Sequence, residues 1–263
     1  MPALIAVLKI ALILLWTLPL LIIQLVIFNL TKGDASYIIP RLWHKGVCKI
    51  IGITMEVVGE PVEGTQLIYV SNHLSYLDIP VIGAVLKASF VAKEDIAGWP
   101  VIGYLARIQQ TAFISRSSAK AKKVAGALDD MLKAGKSLVL FPEGTSSPGT
   151  EVLPFKSSLF SLALPKEGGA IPIQPFVVDL IRVNGHTPTI AERDLYAWYA
   201  DMDFAPHIWE FMQNKGATVR LTFLPVATPQ ADTDRKSLCR VVEDHIATHL
   251  TAPQRVSLER KDS

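Results

Sequence analysis

The pattern of hydrophobic and polar positions divides the chain into an apolar beginning and a longer part in which short apolar runs alternate with helical segments. From residue 10 to residue 30 the sequence reads IALILLWTLPLLIIQLVIFNL, without a charged side chain. A stretch of this length is long enough to cross the hydrocarbon core of a bilayer as an α-helix. No face of it is polar, which disfavours a helix on a soluble domain. Pro19 leaves open a helical hairpin that enters the membrane and returns.

A cleaved signal peptide is the competing interpretation of the same segment. Its apolar core would be shorter and would end in a small-residue cleavage site. The run ends instead in Phe28, Asn29, Leu30 and Thr31. We therefore expect the segment to be retained as a membrane anchor.

The next stretch predicts a basic amphipathic helix. Arg41, Lys45 and Lys49 recur every four residues and share one helical face, and Trp43 stands among the apolar positions. Such a helix suits the headgroup zone of an anionic membrane, although a helix packed on the domain with solvated lysines would show the same pattern. Basic residues on this side of the apolar run favour a domain on the cytoplasmic side of the inner (plasma) membrane.

After residue 52 the apolar runs have the length and spacing of strands separated by helices. The predicted strands are Thr54–Val58, Leu67–Ser71, Ser89–Ala92, Thr111–Ile114, Ser137–Phe141, Ile171–Val178 and Val219–Phe223. Helical periodicity is clearest at 118–134 and 234–250. This alternation predicts an α/β fold with a mostly parallel sheet flanked by helices. We divide the chain into a membrane-anchoring segment, 1–52, and a catalytic domain, 53–263. The aromatic-rich stretch 182–212 fits neither pattern and is interpreted as a long surface insertion.

Charge and cysteine content narrow the functional classes. The net charge is +2, so no global field favours nucleic acid as a partner. Cys48 and Cys239 are far apart and lack metal-ligand spacing. We expect two free thiols, no disulfide and no metal site.

Three of the predicted strands end directly before chemically capable residues. His73, Arg116 and Glu143 each follow such a strand within three residues. Parallel sheets bind ligands outside the carboxyl ends of their strands. If the strands are neighbours, the three side chains should converge on one crevice.

His73 is a candidate general base because Asp78 follows it by five residues. If the intervening turn begins a helix, Asp78 accepts a hydrogen bond from one ring nitrogen and fixes the other as the basic one. An imidazole held this way suits proton removal from an alcohol near neutral pH. The plainer alternative is an Asx-type cap with a histidine nearby.

No protein nucleophile accompanies this base in the sequence. The pattern G-x-S-x-G is absent, and neither cysteine lies near the histidine in sequence. Gly135-Lys136-Ser137 fails as a phosphate-binding loop, because position 130 is Asp where that motif requires Gly. A base without a nucleophile indicates activation of the substrate's own hydroxyl.

These segments together resemble the glycerolipid acyltransferase family typified by the lysophosphatidic acid acyltransferases. That family has four ordered blocks, and the resemblance covers residues 65–180. The blocks N-H-x4-D, F-I-x-R, F-P-E-G-T-[RST]-S and a Pro-centred apolar strand match Asn72 to Asp78, Phe113 to Arg116, Phe141 to Ser147 and Ile171 to Pro175.

The resemblance implies roles for individual residues. His73 would be the base and Asp78 would orient it. Substrate-binding residues would be Phe113, Arg116, Glu143, Gly144, Thr145 and Lys156. The donor would be an acyl-CoA or acyl carrier protein thioester, the acceptor a lysolipid in contact with membrane lipids, and no cofactor or metal would be needed.

The chain departs from the family pattern at Ser146. The members that make phosphatidic acid commonly have Arg there, and a charge-assisted hydrogen bond contributes about 1.5–3 kcal/mol. The sequence favours 1-acyl-sn-glycerol-3-phosphate as acceptor by a narrow margin, because Arg116 and Lys156 remain. The alternative acceptor is a lyso-ornithine lipid. A lipid hydrolase and a non-enzymatic lipid-binding protein are the rival functions.

Overall fold

The structure is a computed structural model and describes residues 1–30, 33–114, 121–166 and 169–251. Its helices are α1 (Pro2–Leu30), α2 (Ile38–Ile51), α3 (Asp78–Gly83), α4 (Ile102–Ile108), α5 (Ala121–Lys133), α6 (Phe204–Gln213) and α7 (Arg235–His249). Its strands are β1 (Ile53–Val58), β2 (Ile68–Ser71), β3 (Ser89–Lys93), β4 (Ala112–Ile114), β5 (Leu138–Leu140), β6 (Ile173–Val183) and β7 (Ala217–Phe223).

Helix α1 runs unbroken through Pro19, so the single apolar helix forms and the hairpin centred on Pro19 does not. By length and composition Pro2–Phe28 is long and apolar enough to cross a membrane, and only 11% of its most apolar window is buried. Leu15, Leu18 and Ile22 are 60–70% exposed. A core helix of a soluble protein would bury such side chains, so α1 presents an apolar face that requires a partner.

Polar side chains tie α1 to the rest of the fold along its length. Lys9 Nζ donates to the carbonyl oxygens of Ile51 at 3.0 Å and Asn214 at 2.7 Å. About two turns further on, Trp16 Nε1 donates to the carbonyl of Trp43 at 3.2 Å. The helix is thus hydrogen-bonded to the rest of the fold, and its retention as a membrane anchor stays a prediction.

Helix α2 packs against α1 and has the amphipathic form that its sequence predicts. Lys45 and Lys49 are exposed. Arg41 instead donates to the carbonyl of Ala84 at 3.2 Å and pairs with Glu63 at 3.4 Å. One member of the basic stripe therefore binds the domain, and the other two are free to face solvent or headgroups.

All seven strands join one sheet in the order β1-β7-β6-β2-β5-β3-β4. Every neighbouring pair is parallel except β6 and β7, which are antiparallel. The predicted fold class, a mostly parallel α/β sheet with a long apolar N-terminal helix, is confirmed.

Side chains alternate along the central strands between two apolar clusters, one on each face of the sheet. On β2, Tyr69 packs into the cluster formed with α1, α2, α3 and α6, whereas Ile68 packs into the cluster formed with α5 and α7. The first cluster includes Ala6, Val47 and Ile51 from the N-terminal segment. Residues on both sides of position 52 thus share one core, and the division into 1–52 and 53–263 stays a prediction.

The interpretation of 182–212 as a surface insertion is wrong. Strand β6 extends to Val183, and a 3₁₀ turn at Ala191–Leu195 leads towards α6. Arg193 is 2% exposed and Tyr196 is fully buried. Arg193 donates to the carbonyls of Pro148 and Gly149, both at 2.8 Å. Buried polar contacts of Arg193 and Tyr196 thus anchor the segment, and contacts of this kind leave no hydrophobic periodicity around these two residues.

Candidate active site

The site lies at the carboxyl end of β2, where Asn72 fixes the backbone just before His73. The Asn72 side chain donates from Nδ2 to the carbonyl of Val178 and accepts from the Val178 amide, both at 2.9 Å. Asn72 is fully buried. It continues the β2–β6 pairing beyond the last strand residue, and so holds His73 at the sheet edge.

His73 and Asp78 form the predicted pair. His73 Nδ1 lies 2.8 Å from Asp78 Oδ2, and the same oxygen accepts from the amides of Leu74 at 2.7 Å and Ser75 at 3.0 Å. Helix α3 begins at Asp78, but no side chain caps its first turn, so the carboxylate serves as the partner of the imidazole and of the two preceding amides and not as an Asx-type cap. With Nδ1 donating to Asp78, Nε2 is left as the basic nitrogen, on a side chain that is 20% exposed.

Tyr196 is a second partner of Asp78. Its hydroxyl donates to Asp78 Oδ1 at 2.8 Å, and both side chains are fully buried. Burial, together with the nearby Asp78 carboxylate, raises the pKa of Tyr196 well above its usual value, so its hydroxyl keeps its proton. No pattern in the sequence points to this residue, because it lies 118 positions from Asp78 in a stretch without clear periodicity.

The turn after β5 packs directly against the histidine. The rings of Phe141 and His73 are stacked, with centroids 4.1 Å apart and planes 17° from parallel. The Ser147 amide donates to the His73 carbonyl at 2.9 Å. These contacts bring the N-H-x4-D and F-P-E-G-T segments together, as the neighbouring positions of β2 and β5 require.

Lys156 is brought to the same turn. Its amide donates to the Pro142 carbonyl at 2.9 Å. Gly144 has φ +70°, and a Cβ there would lie 2.2 Å from Lys156 Nζ. The left-handed backbone conformation favours glycine at this position, and the Lys156 amine occupies the space above it. The Lys156 ammonium group and the Gly144 backbone thus lie side by side at this turn.

Glu143 is enclosed beneath this turn and is 4% exposed. Burial raises the pKa of its carboxyl to about 8, while the nearby backbone amides of Leu153 and His73 act in the opposite direction. Neither carboxyl oxygen has a hydrogen bond of ordinary geometry. A glutamate held protonated at neutral pH is typical of functional sites, and its predicted role towards the acceptor headgroup stays a prediction.

The remaining predicted site residues are less closely associated with His73. Phe113 is half-buried on β4, and β3 separates β4 from β5. Thr145 is exposed at the turn. Arg116 lies outside the described residues. The structure therefore brings His73, Glu143, Gly144 and Lys156 together, and Phe113 is on a strand two places away.

Ser146 binds the segment that carries Tyr196. Its hydroxyl donates to the carbonyl of Trp198, and the Trp198 amide donates to the carbonyl of Leu74. The residue at the position where relatives place Arg is thus half-buried and points away from open solvent towards backbone. The N-H-x4-D segment and the F-P-E-G-T segment are thus both hydrogen-bonded to the backbone of Trp198.

Neither cysteine is placed for chemistry. Cys48 and Cys239 are free and buried, and burial raises the pKa of the Cys48 thiol to about 12. Within the described ranges, no group of three or more His, Cys, Asp or Glu side chains is arranged to hold a metal ion. That the reaction needs neither metal nor cofactor stays a prediction.

Comparison with known proteins agrees with this site. A family model described as Acyltransferase matches residues 54–179. A lyso-ornithine lipid O-acyltransferase of Brucella abortus (strain 2308) is 35% identical over 213 residues, which span 79% of this chain and 80% of that protein. A 1-acyl-sn-glycerol-3-phosphate acyltransferase of Neisseria meningitidis serogroup B is 30% identical over 205 residues, spanning 77% and 76%.

The fold is similar to that in the crystal structure of the 1-acyl-sn-glycerophosphate (LPA) acyltransferase PlsC from Thermotoga maritima. The TM-score is 0.70 at 20% identity, and the match covers 94% of this chain and 93% of that one. Two relatives at 30% identity or more, each matched over most of its length, establish the family that the motifs indicated. The chain belongs to the acyltransferase family and is an acyltransferase.

Proposed function

We propose that the protein is a lysolipid O-acyltransferase, which moves a fatty acyl chain from an acyl-CoA or acyl carrier protein thioester to a lysolipid hydroxyl. The observation that supports this most is the fixed tautomer of His73, which leaves Nε2 as a base at a partly open edge of the sheet. The relatives named above act on lysolipids.

In the proposed reaction, His73 Nε2 takes the proton of the acceptor hydroxyl as the oxygen attacks the thioester carbonyl carbon. The new C–O bond forms, the C–S bond breaks, and the proton on His73 passes to the leaving thiolate. Asp78 stabilises the transient imidazolium without taking its proton. The thioester is already activated, so one base and correct positioning supply much of the catalysis.

A lyso-ornithine lipid is the acceptor we propose first. Three of the most similar relatives, with 31–36% identity, are named lyso-ornithine lipid O-acyltransferases. Ser146 stands where phosphate-binding relatives commonly have Arg, and its hydroxyl is engaged by the Trp198 carbonyl. Both observations argue against a contact between residue 146 and an acceptor phosphate.

A specific observation also favours 1-acyl-sn-glycerol-3-phosphate, the acceptor that the sequence places first. The Lys156 amine lies over Gly144, where it can meet an anion bound at the turn. Lysine binds phosphate well as a point charge. The Neisseria meningitidis relative is named for this reaction.

We further propose that the enzyme acts at the cytoplasmic side of the inner membrane. The exposed apolar side chains of α1 support insertion into a bilayer. Lys45 and Lys49, exposed just after that helix, support the cytoplasmic side by the positive-inside bias.

The test is transfer of a labelled acyl chain by purified protein, with each acceptor and with no acceptor. We expect acceptor-dependent transfer that falls by roughly 10²–10⁴-fold in His73→Ala, the usual contribution of a general base. His245→Ala, an exposed histidine on α7, is the control and should retain activity. Release of free fatty acid without acceptor, or full activity of His73→Ala, would contradict the proposal.

Lys156→Ala separates the two acceptors. If the acceptor carries a phosphate, this variant should raise its KM by about tenfold or more, the loss of one charge-assisted contact. A lyso-ornithine acceptor should lose less. Lys166→Ala is the matched control, because Lys166 pairs with Asp129 at 2.5 Å on α5.

A further inference from the structure

The turn that leads into α4 exposes several apolar side chains in a strained backbone. We call residues 99–104 (Trp-Pro-Val-Ile-Gly-Tyr) the Trp99 turn. Val101 has φ +61° and is 68% exposed. A β-branched residue at positive φ is an outlier that costs free energy, and such strain persists where surrounding structure holds it for a purpose.

The neighbours of Val101 are exposed as well. Ile102 is 37% exposed and Tyr104 is 47% exposed. Scattered single apolar residues need no explanation, but a contiguous exposed patch indicates an interaction surface. Gly103, enclosed beneath the turn, allows no Cβ, because one would lie 2.5 Å from the Ala97 carbonyl oxygen. The turn is therefore built to keep its side chains outward.

Helix α4 packs on the apolar helix α1. Leu20, Leu21 and Gln24 of α1 line one side of a small cavity of about 50 Å³, and Leu105 and Ile108 of α4 line the other. The exposed residues of the Trp99 turn thus lie on an element that borders the apolar surface of α1. Because the turn adjoins the apolar surface of α1, lipid is the partner that fits its exposed side chains. Trp and Tyr are also the side chains that are enriched at membrane–water interfaces.

The same turn connects by aromatic contacts to the active site. The ring centroids of Trp99 and Phe204 are 5.1 Å apart, and those of Phe204 and Tyr76 are 4.8 Å apart. Tyr76 lies three residues after His73 in the chain. A row of packed aromatic rings therefore connects the Trp99 turn to the loop of the catalytic histidine.

We propose that the Trp99 turn is a second membrane contact, which inserts Val101, Ile102 and Tyr104 into the bilayer beside α1. It holds the loop of His73 close to headgroup level, so that a lysolipid enters from the membrane without crossing water. The contact is apolar, because the three inserted side chains carry no charge. This inference rests on the proposed function at a membrane.

The test uses full-length protein with one labelled cysteine at a time. Cys48 and Cys239 are 1% and 4% exposed, so a surface cysteine can be labelled selectively with an environment-sensitive fluorophore. The variants are Val101→Cys, Leu15→Cys on α1, and Val241→Cys, which is 45% exposed on α7. Each is bound to phosphatidylethanolamine–phosphatidylglycerol vesicles that contain lipid with a spin-label quencher.

We expect quenching at positions 101 and 15 and little at position 241, at high and low phosphatidylglycerol content alike. Quenching at position 15 but not at position 101 would overturn this inference and leave the proposed membrane function intact. Absence of quenching at both would overturn both proposals.

A kinetic test is independent of the probe. Val101→Glu should raise the apparent KM for a vesicle-borne lysolipid by about tenfold, as loss of one buried valine predicts. It should leave kcat/KM for a water-soluble short-chain lysolipid unchanged. Val241→Glu is the matched control and should alter neither. Equal effects of Val101→Glu on both substrates would indicate damage to the fold and would overturn the inference.

Discussion

At the residue scale, the decisive feature is the number of donors that Asp78 satisfies. Its two oxygens accept from the His73 imidazole, the amides of Leu74 and Ser75, and the Tyr196 hydroxyl. Burial of a carboxylate is costly unless its oxygens accept hydrogen bonds in this way. The pairing fixes the orientation of the histidine, and the orientation decides which ring nitrogen is the base.

Tyr196→Phe tests the role of Tyr196 as a positioning residue. The change removes only the hydroxyl, so we expect the fold to persist. Asp78 then has one donor fewer and holds the imidazole less firmly in place. The value of kcat should fall by about tenfold, the contribution of one hydrogen bond to a charged group. Measured kcat values of both proteins check this.

Tyr199→Phe is the control, because its hydroxyl donates to Asp194 at 2.9 Å on the same segment without touching Asp78. An unchanged kcat in Tyr196→Phe would show that this hydroxyl does not act through Asp78.

Glu143 makes the stability of the protein depend on pH. Its pKa is about 8 in the folded state and 4.5 in its ordinary state. Between these values the folded protein keeps a proton that the unfolded chain has lost, so the free energy of unfolding falls with rising pH by up to about 1.4 kcal/mol per pH unit. Glu143→Gln should remove this contribution.

The measurement is chemical unfolding of both proteins in detergent from pH 5 to pH 8. The stability of Glu143→Gln relative to the wild type should increase as pH rises. The exposed Glu151→Gln serves as control and should follow the wild type. Parallel curves for Glu143→Gln and the wild type would show that Glu143 is ionised throughout.

At the element scale, close contact between α1 and α2 holds the apolar helix against the domain. Gly46 of α2 allows this contact, because a Cβ there would lie 2.1 Å from Trp16 Nε1. The Trp16 ring cannot move freely, since it donates to the Trp43 carbonyl. Trp43 in turn donates from Nε1 to Thr17 Oγ1 at 2.8 Å. The two helices therefore interlock through reciprocal tryptophan hydrogen bonds.

Gly46→Ala should destabilise the protein by about 1–3 kcal/mol, the usual cost of overpacking. Gly126→Ala is the matched control, because Gly126 lies within α5 and nothing is within 4 Å of its added Cβ. That change should stabilise the protein by about 0.5–1 kcal/mol. Thermal unfolding in detergent measures both, and equal transition temperatures for the two variants would contradict the interlocking of α1 and α2.

At the scale of the whole molecule, the exposed apolar side chains of α1 decide how the protein meets a membrane. Insertion of such a surface is driven by the hydrophobic effect, which salt does not screen. Ala6 belongs to the core shared with β2 and α6, so the helix stays with the domain when it enters the bilayer.

We expect the full-length protein to remain in the membrane fraction after a high-salt wash and to be released by detergent. Charge reversal of Lys45 and Lys49 should not release it, because electrostatic attraction is the smaller contribution. Cell fractionation followed by immunodetection measures this. Recovery of the wild type in the high-salt supernatant would contradict insertion of α1.

The sequence by itself determined the strands, the helices α1, α2, α5 and α7, and the local part of the site, but not α4 or α6. Periodicity located seven strands, because a buried strand and an amphipathic helix need different spacings of apolar residues. His73 and Asp78 were found as a pair because five residues span one turn, so their contact depends on local backbone alone. Lys156 was found only through the family resemblance, and the structure places its amine over Gly144.

Only the tertiary structure decided which distant groups complete the site. Tyr196 reaches Asp78 across 118 residues, Ser146 reaches Trp198 across 52, and Trp99 meets Phe204 although they belong to different elements. Polar and aromatic contacts of this kind leave no periodic trace, because they depend on how the elements pack in three dimensions and not on the order of residues within any one of them.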